Sequence, residues 1–355
     1  MPGRDSRKGG RRRHHHGLAF RIRHKLKHHR WIVPAALIVV VALAAAGIWM
    51  HETVRKQQSL KVVGGNTATA GFGYRNITYK GKDYRYNNRI TAILYVGLDS
   101  DGALHETTSY TSAARADSIS LVVLDELHHK MTIIALNRDT ITDIRKFTLN
   151  GRDRGMMRDH LGYAYTYGNG GEVSAQNVCE AVSQLLYGIP VHEYVVMNLS
   201  SMPRLCDAIG PVDVIVPNDD LAGLGYVKGS VVTIDADNLE EFVRSRNTSQ
   251  DFSHNGRMQR QQTYISAAVK QVRGRLEKEP SSLWNAMTKA ESSVETNITR
   301  SRYLDLISVL QKTEYGEADY YIPEGIQVAA ADHDEFYVDE EKLLDKIVEI
   351  FYIEK

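Results

Sequence analysis

Short apolar stretches recur along the middle of this chain and predict β-strands. Residues 90–98 (ITAILYVGL) are almost continuously apolar, which is typical of a central strand buried on both faces. Similar stretches at 119–125 and 131–136 are separated by the five-residue loop ELHHK, so they predict a hairpin. Two further stretches, 193–199 and 212–216, complete the set of predicted strands.

Longer segments with apolar residues at helical spacing predict helices between and after these strands. The predicted helices cover residues 174–187, 201–209, 236–243, 257–277, 302–311 and 339–351. No regular element is predicted in the polar, glycine-rich region 150–171. Because strands and helices interleave, we assign residues 89–355 to the α/β class, as a three-layer αβα domain with a central mixed sheet. Residues 51–88 are interpreted as a linker or a short hairpin.

The N-terminal segment differs from the rest of the chain in charge and predicts a membrane anchor. Residues 1–30 hold 11 Lys and Arg with one acid, whereas residues 31–50 carry no charge. The apolar stretch approaches the ~20 residues needed to cross a bilayer, and Trp31 and Trp49 stand near its two ends. We interpret residues 31–50 as a single transmembrane helix that follows a basic cytoplasmic tail. A cleaved signal peptide is the alternative.

This orientation places residues 51–355 outside the cytoplasm, because basic flanks stay inside. Of the 44 Lys and Arg and the 43 Asp and Glu in the chain, this portion holds 33 and 42, a formal charge of −9. An acidic domain on the extracytoplasmic side is a poor partner for a nucleic-acid backbone. We therefore predict a single-pass cell-membrane protein with an extracellular domain and no nucleic-acid partner.

Both cysteines of the chain, Cys179 and Cys206, lie in the exported portion. An even number of cysteines in an oxidising compartment is compatible with a disulfide. Two small buried core residues are the alternative, and both interpretations stay open.

Polar residues flank the predicted hairpin at one end of the sheet. If its strands pair antiparallel about residue 128, position 118 faces about 138, and Asp117 and Arg138 become neighbours. Asp99 reaches the same edge if its strand runs parallel to the second hairpin strand, and ligands of α/β sheets gather at such edges. Taken singly, an ion pair between Asp117 and Arg138, or a turn capped by Asp99, is an ordinary structural feature.

A cluster of arginines follows a predicted short helix. The stretch 242–262 holds one acid and four arginines, Arg244, Arg246, Arg257 and Arg260. Arg257 and Gln261 lie beside the apolar stripe of the predicted helix 257–277, so they border the core. Arginine in such a position suits bidentate capture of phosphate, although an arginine cluster can also serve solubility alone.

The motifs around these residues resemble those of the LytR–CpsA–Psr family, membrane-anchored phosphotransferases of Gram-positive envelopes. The resemblance runs from about Ile90 to the C-terminus and includes the basic tail and the single anchor. The matching motifs are GLDS (97–100), RADS (115–118), NRDT (137–140), AYTYG (164–168), DAIGPVDV (207–214), VRSR (243–246) and GRMQRQQ (256–262). Their number, order and compatible spacing make the resemblance specific.

The resemblance assigns roles to individual residues. It implies that Asp99 and Asp117 hold Mg²⁺ and, together with Arg138, form the catalytic group. It also implies that a pyrophosphate is bound by Arg115, Arg138, Arg244, Arg246, Arg257 and Gln261.

Three departures from the family pattern stand near these motifs. His160 occupies a position where the family commonly has lysine, and because histidine is often neutral near pH 7, the substrate contact there is expected to be weaker or pH-dependent. Asn137 replaces a usual proline, and the segment between Asp99 and Asp117 is long.

The activity implied by the resemblance is Mg²⁺-dependent transfer of a glycopolymer from a polyprenyl-pyrophosphate carrier to the muramic acid 6-hydroxyl of peptidoglycan. A side pyrophosphatase activity is expected when no acceptor is present. The alternative is a non-catalytic polyprenyl-pyrophosphate-binding assembly factor, which would need the arginines but not the carboxylates. The resemblance leaves open the glycopolymer (teichoic acid or another), the lipid length, the general base and the oligomeric state.

Overall fold

The computed structural model describes residues 75–111, 113–245, 253–328 and 334–355, and all of them belong to one compact unit. The predicted cytoplasmic tail, the predicted transmembrane helix and the greater part of the predicted linker 51–88 lie outside these residues. Among the helices in the described part of the chain, none is long and apolar enough to cross a membrane.

The described segments contain interleaved strands and helices, as the sequence predicts. The strands are β1 (Asn76–Tyr79), β2 (Lys82–Tyr86), β3 (Ile90–Leu98), β4 (Ala116–Asp125), β5 (Lys130–Leu136), β6 (Ile141–Phe147), β7 (Asp153–His160), β8 (Glu193–Met197), β9 (Val212–Ile215), β10 (Val231–Ile234), β11 (Val294–Thr296), β12 (Tyr320–Tyr321), β13 (Gly325–Val328), β14 (Glu335–Val338) and β15 (Tyr352–Glu354). The helices are α1 (Glu172–Leu185), α2 (Met202–Ile209), α3 (Leu239–Arg244), α4 (Ser253–Lys278), α5 (Ser282–Thr288), α6 (Arg300–Leu310) and α7 (Glu340–Phe351).

A mixed sheet of six strands, in the order β11-β8-β3-β4-β5-β12, forms the centre of the fold. β3 and β5 pair antiparallel with β4, whereas β8 runs parallel to β3 and β12 runs parallel to β5. Every residue of β4 is buried, and its apolar side chains enter the cores on both faces of the sheet. The predicted mixed central sheet is confirmed.

Helices cover both faces of this sheet and form two hydrophobic cores. Because strand side chains alternate between faces, Ile93 and Tyr95 belong to one core and Leu94 and Val96 to the other. The first core is closed by α2, α3, α4 and α6, which we call the α4 layer. The second is closed by α1 and α7, which we call the α1 layer. The structure therefore has the predicted three-layer αβα arrangement.

In the described residues four smaller antiparallel sheets lie outside the central sheet, and two of them bear on the sequence predictions. β6 and β7 pair antiparallel, so the region 150–171, for which no strand is predicted, contains one. β7 was missed because its residues are mostly polar and partly or fully exposed, and they give no apolar alternation. β1 and β2 form a hairpin within the described part of the segment 51–88, and β2 also pairs with β15.

The two cysteines are free and buried, and they lie in different layers. Cys179 on α1 belongs to the core of the α1 layer, and Cys206 on α2 belongs to the core of the α4 layer. With the central sheet between them, their sulfur atoms cannot approach bonding distance. The disulfide alternative is therefore wrong, and the cysteines are small core residues.

Candidate active site

Three strand ends meet at one edge of the central sheet and carry the predicted acidic and basic residues. Because β3 and β5 both run antiparallel to β4, the end of β3, the start of β4 and the end of β5 coincide. The sequence predicts that position 118 faces about position 138. The observed register pairs Ile119 with Leu136, which is a shift of one residue from this prediction. Asp99, Asp117 and Arg138 therefore lie at the same edge, as predicted.

The Asp117 side chain is fully buried at this edge. Its Oδ1 atom accepts a hydrogen bond from Nη1 of Arg138, whereas Oδ2 has no donor among the residues that the structure describes. Burial alone lowers the pKa of the Arg138 guanidinium, but the carboxylates of Asp117, Asp139 and Asp99 raise it above its ordinary value. A buried carboxylate oxygen without a donor is costly, so this arrangement favours binding of a cation or a donor group.

Two hydrogen bonds join Asp99 to Arg115, one between backbone groups and one to the Asp99 side chain. The N–H of Asp99 donates to the carbonyl of Arg115 at 3.2 Å, and the N–H of Arg115 donates to Oδ1 of Asp99 at 3.1 Å. Burial, and then the nearby charge of Asp117, raise the pKa of the Asp99 carboxyl. Two acidic side chains thus share this edge with two arginines. We call Asp99, Arg115, Asp117 and Arg138 the Asp–Arg edge.

A 3-10 turn, Leu161–Tyr163, contacts the Asp–Arg edge through backbone and side chain. The N–H of Gly162 donates to the carbonyl of Arg138 at 2.8 Å. A Cβ atom at position 162 would lie 2.8 Å from the carbonyl oxygen of Ala116, so this approach requires glycine. The Arg115 guanidinium lies 4.7 Å from the ring centroid of Tyr163, a cation–π contact. Gly162 and Tyr163 were missed by the sequence reasoning, although they directly precede AYTYG.

The turn that presents Arg138 is stabilised by Asn137. Its Oδ1 atom accepts the N–H of Asp139 at 2.9 Å, and its carbonyl accepts the Oγ1 hydroxyl of Thr140 at 2.6 Å. Such side-chain turns are typical of asparagine. The replacement of the family's usual proline therefore leaves a defined turn at this motif.

His160 at the end of β7 contacts groups of the protein through both ring nitrogens. Nδ1 lies 3.0 Å from Oδ1 of Asp159, and Nε2 lies 3.1 Å from the carbonyl oxygen of Asp334. The imidazole also packs edge-on against Tyr163, with 5.5 Å between ring centroids. The expected contact of His160 with substrate stays a prediction.

Asp99 and Asp117 are suited to hold a magnesium ion. Both are oxygen ligands, and Oδ2 of Asp117 lacks a donor within the described part of the chain. The described residues contain no group of three or more His, Cys, Asp and Glu side chains that could hold a metal ion. Mg²⁺ is commonly held by one or two carboxylates, with water and substrate phosphate completing its shell. The residues present therefore fit the predicted ion.

A second polar group lies where α3 meets α4. The Arg260 side chain is fully buried. Its Nε donates to the carbonyl of Phe242 at 2.9 Å, and its Nη1 donates to Oδ1 of Asn218 and to Oδ2 of Asp220, at 3.0 Å in each case. These contacts fasten the end of α3 to α4, so Arg260 has a structural role.

At the junction of α3 and α4, the predicted pyrophosphate-binding residues differ in their contacts and burial. Gln261 donates through Nε2 to a backbone carbonyl of α3 at 3.0 Å, and Arg244 forms an ion pair with Glu240 one turn earlier. Arg257 is buried on α4. Arg246 lies outside the described residues.

The two groups of candidate residues are built on different elements. Asp117 lies on β4 at a register shift against β3, where Ser118 pairs with Gly97 and Ala116 pairs with Leu98. α4 packs through Tyr264 and Ile265 into the core of the α4 layer. The joint binding of one pyrophosphate by both groups stays a prediction.

Comparison with known proteins shows the family of this chain. The LytR_cpsA_psr family model matches residues 38–340. A protein of Bacillus mycoides named polyisoprenyl-teichoic acid–peptidoglycan teichoic acid transferase TagU is 28% identical over 221 residues, which is 61% of this chain. The matched region spans 62% of that relative's own length.

Solved structures share the fold. The crystal structure of B. subtilis TagV gives a TM-score of 0.51 at 21% identity, covering 74% of this chain and 96% of TagV. A structure of TagT bound to LIIa-WTA gives a TM-score of 0.54 at 18% identity, covering 78% and 95%. Since the family model covers most of its length, this chain belongs to the LytR–CpsA–Psr family.

Proposed function

We propose that this protein is a Mg²⁺-dependent phosphotransferase that moves a glycopolymer from a polyprenyl-pyrophosphate carrier to peptidoglycan. The observation that carries the proposal is the Asp–Arg edge, where a fully buried Asp117 is paired with a charged Arg138 beside Asp99. Family membership and the transferase name of the Bacillus mycoides relative support the same activity. A protein that only bound a lipid pyrophosphate would not need two adjacent carboxylates, of which Asp117 is buried and Asp99 partly buried.

The chemistry requires that negative charge on a pyrophosphate be balanced while an acceptor hydroxyl attacks phosphorus. Asp99 and Asp117 would hold Mg²⁺, which when bound supplies neutralising charge to phosphate oxygens. Arg138 uses Nη1 for Asp117 and directs Nε towards Asp139, 3.4 Å away. Its guanidinium is thereby held in one place, and its other N–H groups can stabilise charge that develops on the phosphate.

The other arginines extend this proposal. Arg115, held over Tyr163, adds positive charge beside the carboxylates. Arg244, Arg246, Arg257 and Gln261 are proposed to bind the pyrophosphate from the α3–α4 junction. In this proposal the predicted anchor at residues 31–50 keeps the enzyme and its lipid carrier on one membrane surface, with the N-terminus in the cytoplasm. Without an acceptor, water would take its place and give a side pyrophosphatase activity.

The test is transfer of a labelled glycan from polyprenyl pyrophosphate to peptidoglycan oligomers by the full chain in detergent. We expect transfer with Mg²⁺, none with EDTA, and a loss of about 100-fold or more in Asp117→Asn and Arg138→Lys. Arg145→Lys is a matched control, because the Arg145 and Arg138 side chains are 19% and 20% exposed and both are paired with carboxylates. This control should retain transfer within about threefold.

A different result would reverse the conclusion. Tight binding of the lipid carrier without transfer or hydrolysis, unchanged by Asp117→Asn, would identify a non-catalytic binding protein. Unfolding midpoints of all variants should be measured, so that loss of transfer is not confused with loss of the fold.

A further inference from the structure

The hairpin β9–β10 exposes apolar side chains on its outer face and in its loop. Ile215 on β9 pairs with Val231 on β10, and both side chains are more than half exposed. In the loop that joins the two strands, Leu224 and Val227 are also more than half exposed. We call these four residues the apolar tip. An exposed apolar patch on a folded domain commonly marks an interaction site.

The loop of this hairpin is held in place by side chains that are buried. Leu221 and Tyr226 belong to the core of the α4 layer. The Tyr226 ring packs against Phe242 of α3, with 5.2 Å between the ring centroids. Leu224 and Val227 are therefore presented on a loop with a fixed conformation, and binding through them costs little conformational entropy.

The charge of the apolar tip differs from that of the domain. Residues 221–234 include Lys228 and no acid, although residues 51–355 carry a formal charge of −9. Asp219, just before this stretch, accepts the N–H of Lys228 at 2.8 Å, and Asp213 lies further along β9, where it accepts the hydroxyl of Thr233. Apolar side chains beside a cation suit an anionic lipid surface.

A second exposed apolar pair, on the hairpin β13–β14, provides a contrast. Ile326 is 71% exposed and pairs with Tyr337. Carboxylates lie beside this pair, because Asp334 accepts from Gln327 at 3.0 Å and Glu335 accepts from the Tyr337 hydroxyl at 2.7 Å. Carboxylates are costly to bring into lipid and are repelled by anionic headgroups. Exposure alone therefore does not distinguish the apolar tip, whereas exposure combined with charge does.

The first part of the β9–β10 loop is fastened to the junction of α3 and α4. Asn218 donates through Nδ2 to the carbonyl of Gly256 at 2.8 Å, and its Oδ1 accepts from Arg260 at 3.0 Å. Asp220 forms an ion pair with the same arginine. Arg257, one of the residues proposed to bind pyrophosphate, directly follows Gly256 on α4. The loop that carries the apolar tip and the proposed pyrophosphate-binding residues are thus directly connected.

We propose that the apolar tip is a membrane-contact surface, with Leu224 and Val227 inserted between the headgroups and the acyl chains of the lipids. Lys228 stays at the level of the headgroups, where its charge meets anionic lipid. The pyrophosphate of a polyprenyl carrier lies at the same level, so the contact would present the α3–α4 junction to the substrate. This consequence rests on the proposed function, whereas the insertion itself does not.

A lipid surface fits the apolar tip better than a protein partner does. Specific protein interfaces use about 20–30 residues per side, whereas the apolar tip consists of a few side chains on one hairpin. Binding to a lipid surface depends on buried apolar area and on attraction between cations and anionic lipids, and the apolar tip supplies both. Residues 51–74, which follow the predicted anchor, are long enough to span roughly 80 Å if extended, so the anchor permits this contact.

The first test measures the depth of a spin label at the apolar tip. Leu224→Cys and Val227→Cys would each be labelled with a nitroxide in the full chain and reconstituted into vesicles of phosphatidylglycerol and phosphatidylcholine. Cys179 and Cys206 are buried and do not compete for the label. We expect the ratio of oxygen accessibility to nickel-chelate accessibility to be about threefold or more higher at these positions than at Ile326→Cys, the matched control.

Other outcomes of this measurement would overturn the proposal. A label at position 224 that is as accessible to the nickel chelate as the label at position 326 would show that the apolar tip stays in water. Dipolar broadening between labels of two copies, without oxygen accessibility, would identify a self-association surface instead. A chain that does not float with the vesicles has no membrane contact.

The second test places charge at the apolar tip and measures transfer. The double substitution Leu224→Asp and Val227→Asp should lower transfer from a carrier embedded in vesicles about tenfold, because carboxylates oppose insertion. Transfer from the same carrier in detergent should stay within about twofold of the wild-type rate, since both positions are exposed. Ile326→Asp is the control and should leave transfer in both media unchanged.

The two tests separate this proposal from the proposed function. An equal loss of transfer in vesicles and in detergent would indicate structural damage and contradict a role in membrane contact. Absence of transfer by the unsubstituted chain in both media, together with lipid-exposed labels at positions 224 and 227, would refute the proposed function and leave the membrane contact in place.

Discussion

Glu295 lies on the edge strand β11, where burial, and then the carboxylates of Glu106 and Glu172, raise its pKa to about 7. Glu106 belongs to the long segment between Asp99 and Asp117 and packs on Gly171, where a Cβ atom would lie 2.4 Å from its Cγ. Three acidic side chains therefore approach one another beside the N-terminus of α1. The proximity of like charges makes ionisation of Glu295 unfavourable in the folded state.

We predict that Glu295→Gln stabilises the protein at alkaline pH. The folded state binds the Glu295 proton more tightly than the unfolded state, so the stability contributed by this proton is present below about pH 4.5 and is lost as the pH rises to about 7. Because the side chain is partly exposed, we expect a gain of roughly 1–2 kcal/mol at pH 8 and almost none at pH 5. Urea unfolding at both pH values measures this difference.

Glu277→Gln, at an exposed position on α4, is the control and should show no such change with pH. An equal effect of Glu295→Gln at the two pH values would contradict the assigned burial of this charge.

The junction of α3 and α4 depends on one buried arginine. Helix α3 has only six residues, and such a short helix requires tertiary contacts to be stable. Arg260 supplies them by donating to the carbonyls of Phe242 and Ser245, and its charge is balanced by Asp220. Burial lowers the pKa of the Arg260 guanidinium, while Asp220 opposes this effect.

Replacement of Arg260 by methionine should destabilise the protein strongly. It leaves two helix-end carbonyls without a donor and a partly buried Asp220 without its partner, so we expect a loss of about 3–5 kcal/mol in the free energy of unfolding. Lys270→Met, at an exposed position of the same helix, should change it by less than about 0.5 kcal/mol. Similar urea midpoints for the two variants would show that the Arg260 contacts contribute little.

Over the whole molecule, distant parts of the chain meet in the sheet β1-β2-β15. Tyr352 pairs with Tyr86, and their rings meet edge to face with centroids 5.9 Å apart. Glu354 forms an exposed ion pair with Lys82 at 3.0 Å. Phe351, the residue just before β15, is fully buried in the core of the α1 layer, so β15 continues directly from the core.

Removal of residues 352–355 should lower the free energy of unfolding by about 2–4 kcal/mol, because it exposes aromatic surface and leaves β2 with only one of its two partner strands. Glu354→Gln, which removes only the exposed ion pair, should cost at most about 1 kcal/mol. Urea unfolding and hydrogen exchange of residues 82–86 report both effects. Unchanged protection of β2 after the truncation would contradict this account.

The sequence was sufficient to predict the structure where residues that are close along the chain are also close in space. The apolar runs of β3, β4 and β5 and the short loop between the last two predicted the hairpin, and the hairpin brought Asp117 to Arg138. It was not sufficient for β7, whose polar residues are paired with β6 without entering a core. Arg257 and Gln261 were predicted to border the core, and both are buried in the structure.

By itself, the sequence determined the α/β class, the mixed sheet and the meeting of Asp99, Asp117 and Arg138. Long apolar runs specify strands and short loops specify hairpins, and both involve residues that are close along the chain. Only the tertiary structure decided that Cys179 and Cys206 lie in separate layers, that Gly162 and Tyr163 support the Asp–Arg edge, and that His160 meets Asp334. These contacts join residues that are distant along the chain. No local pattern of side chains encodes such pairs, since they form only when the whole domain packs.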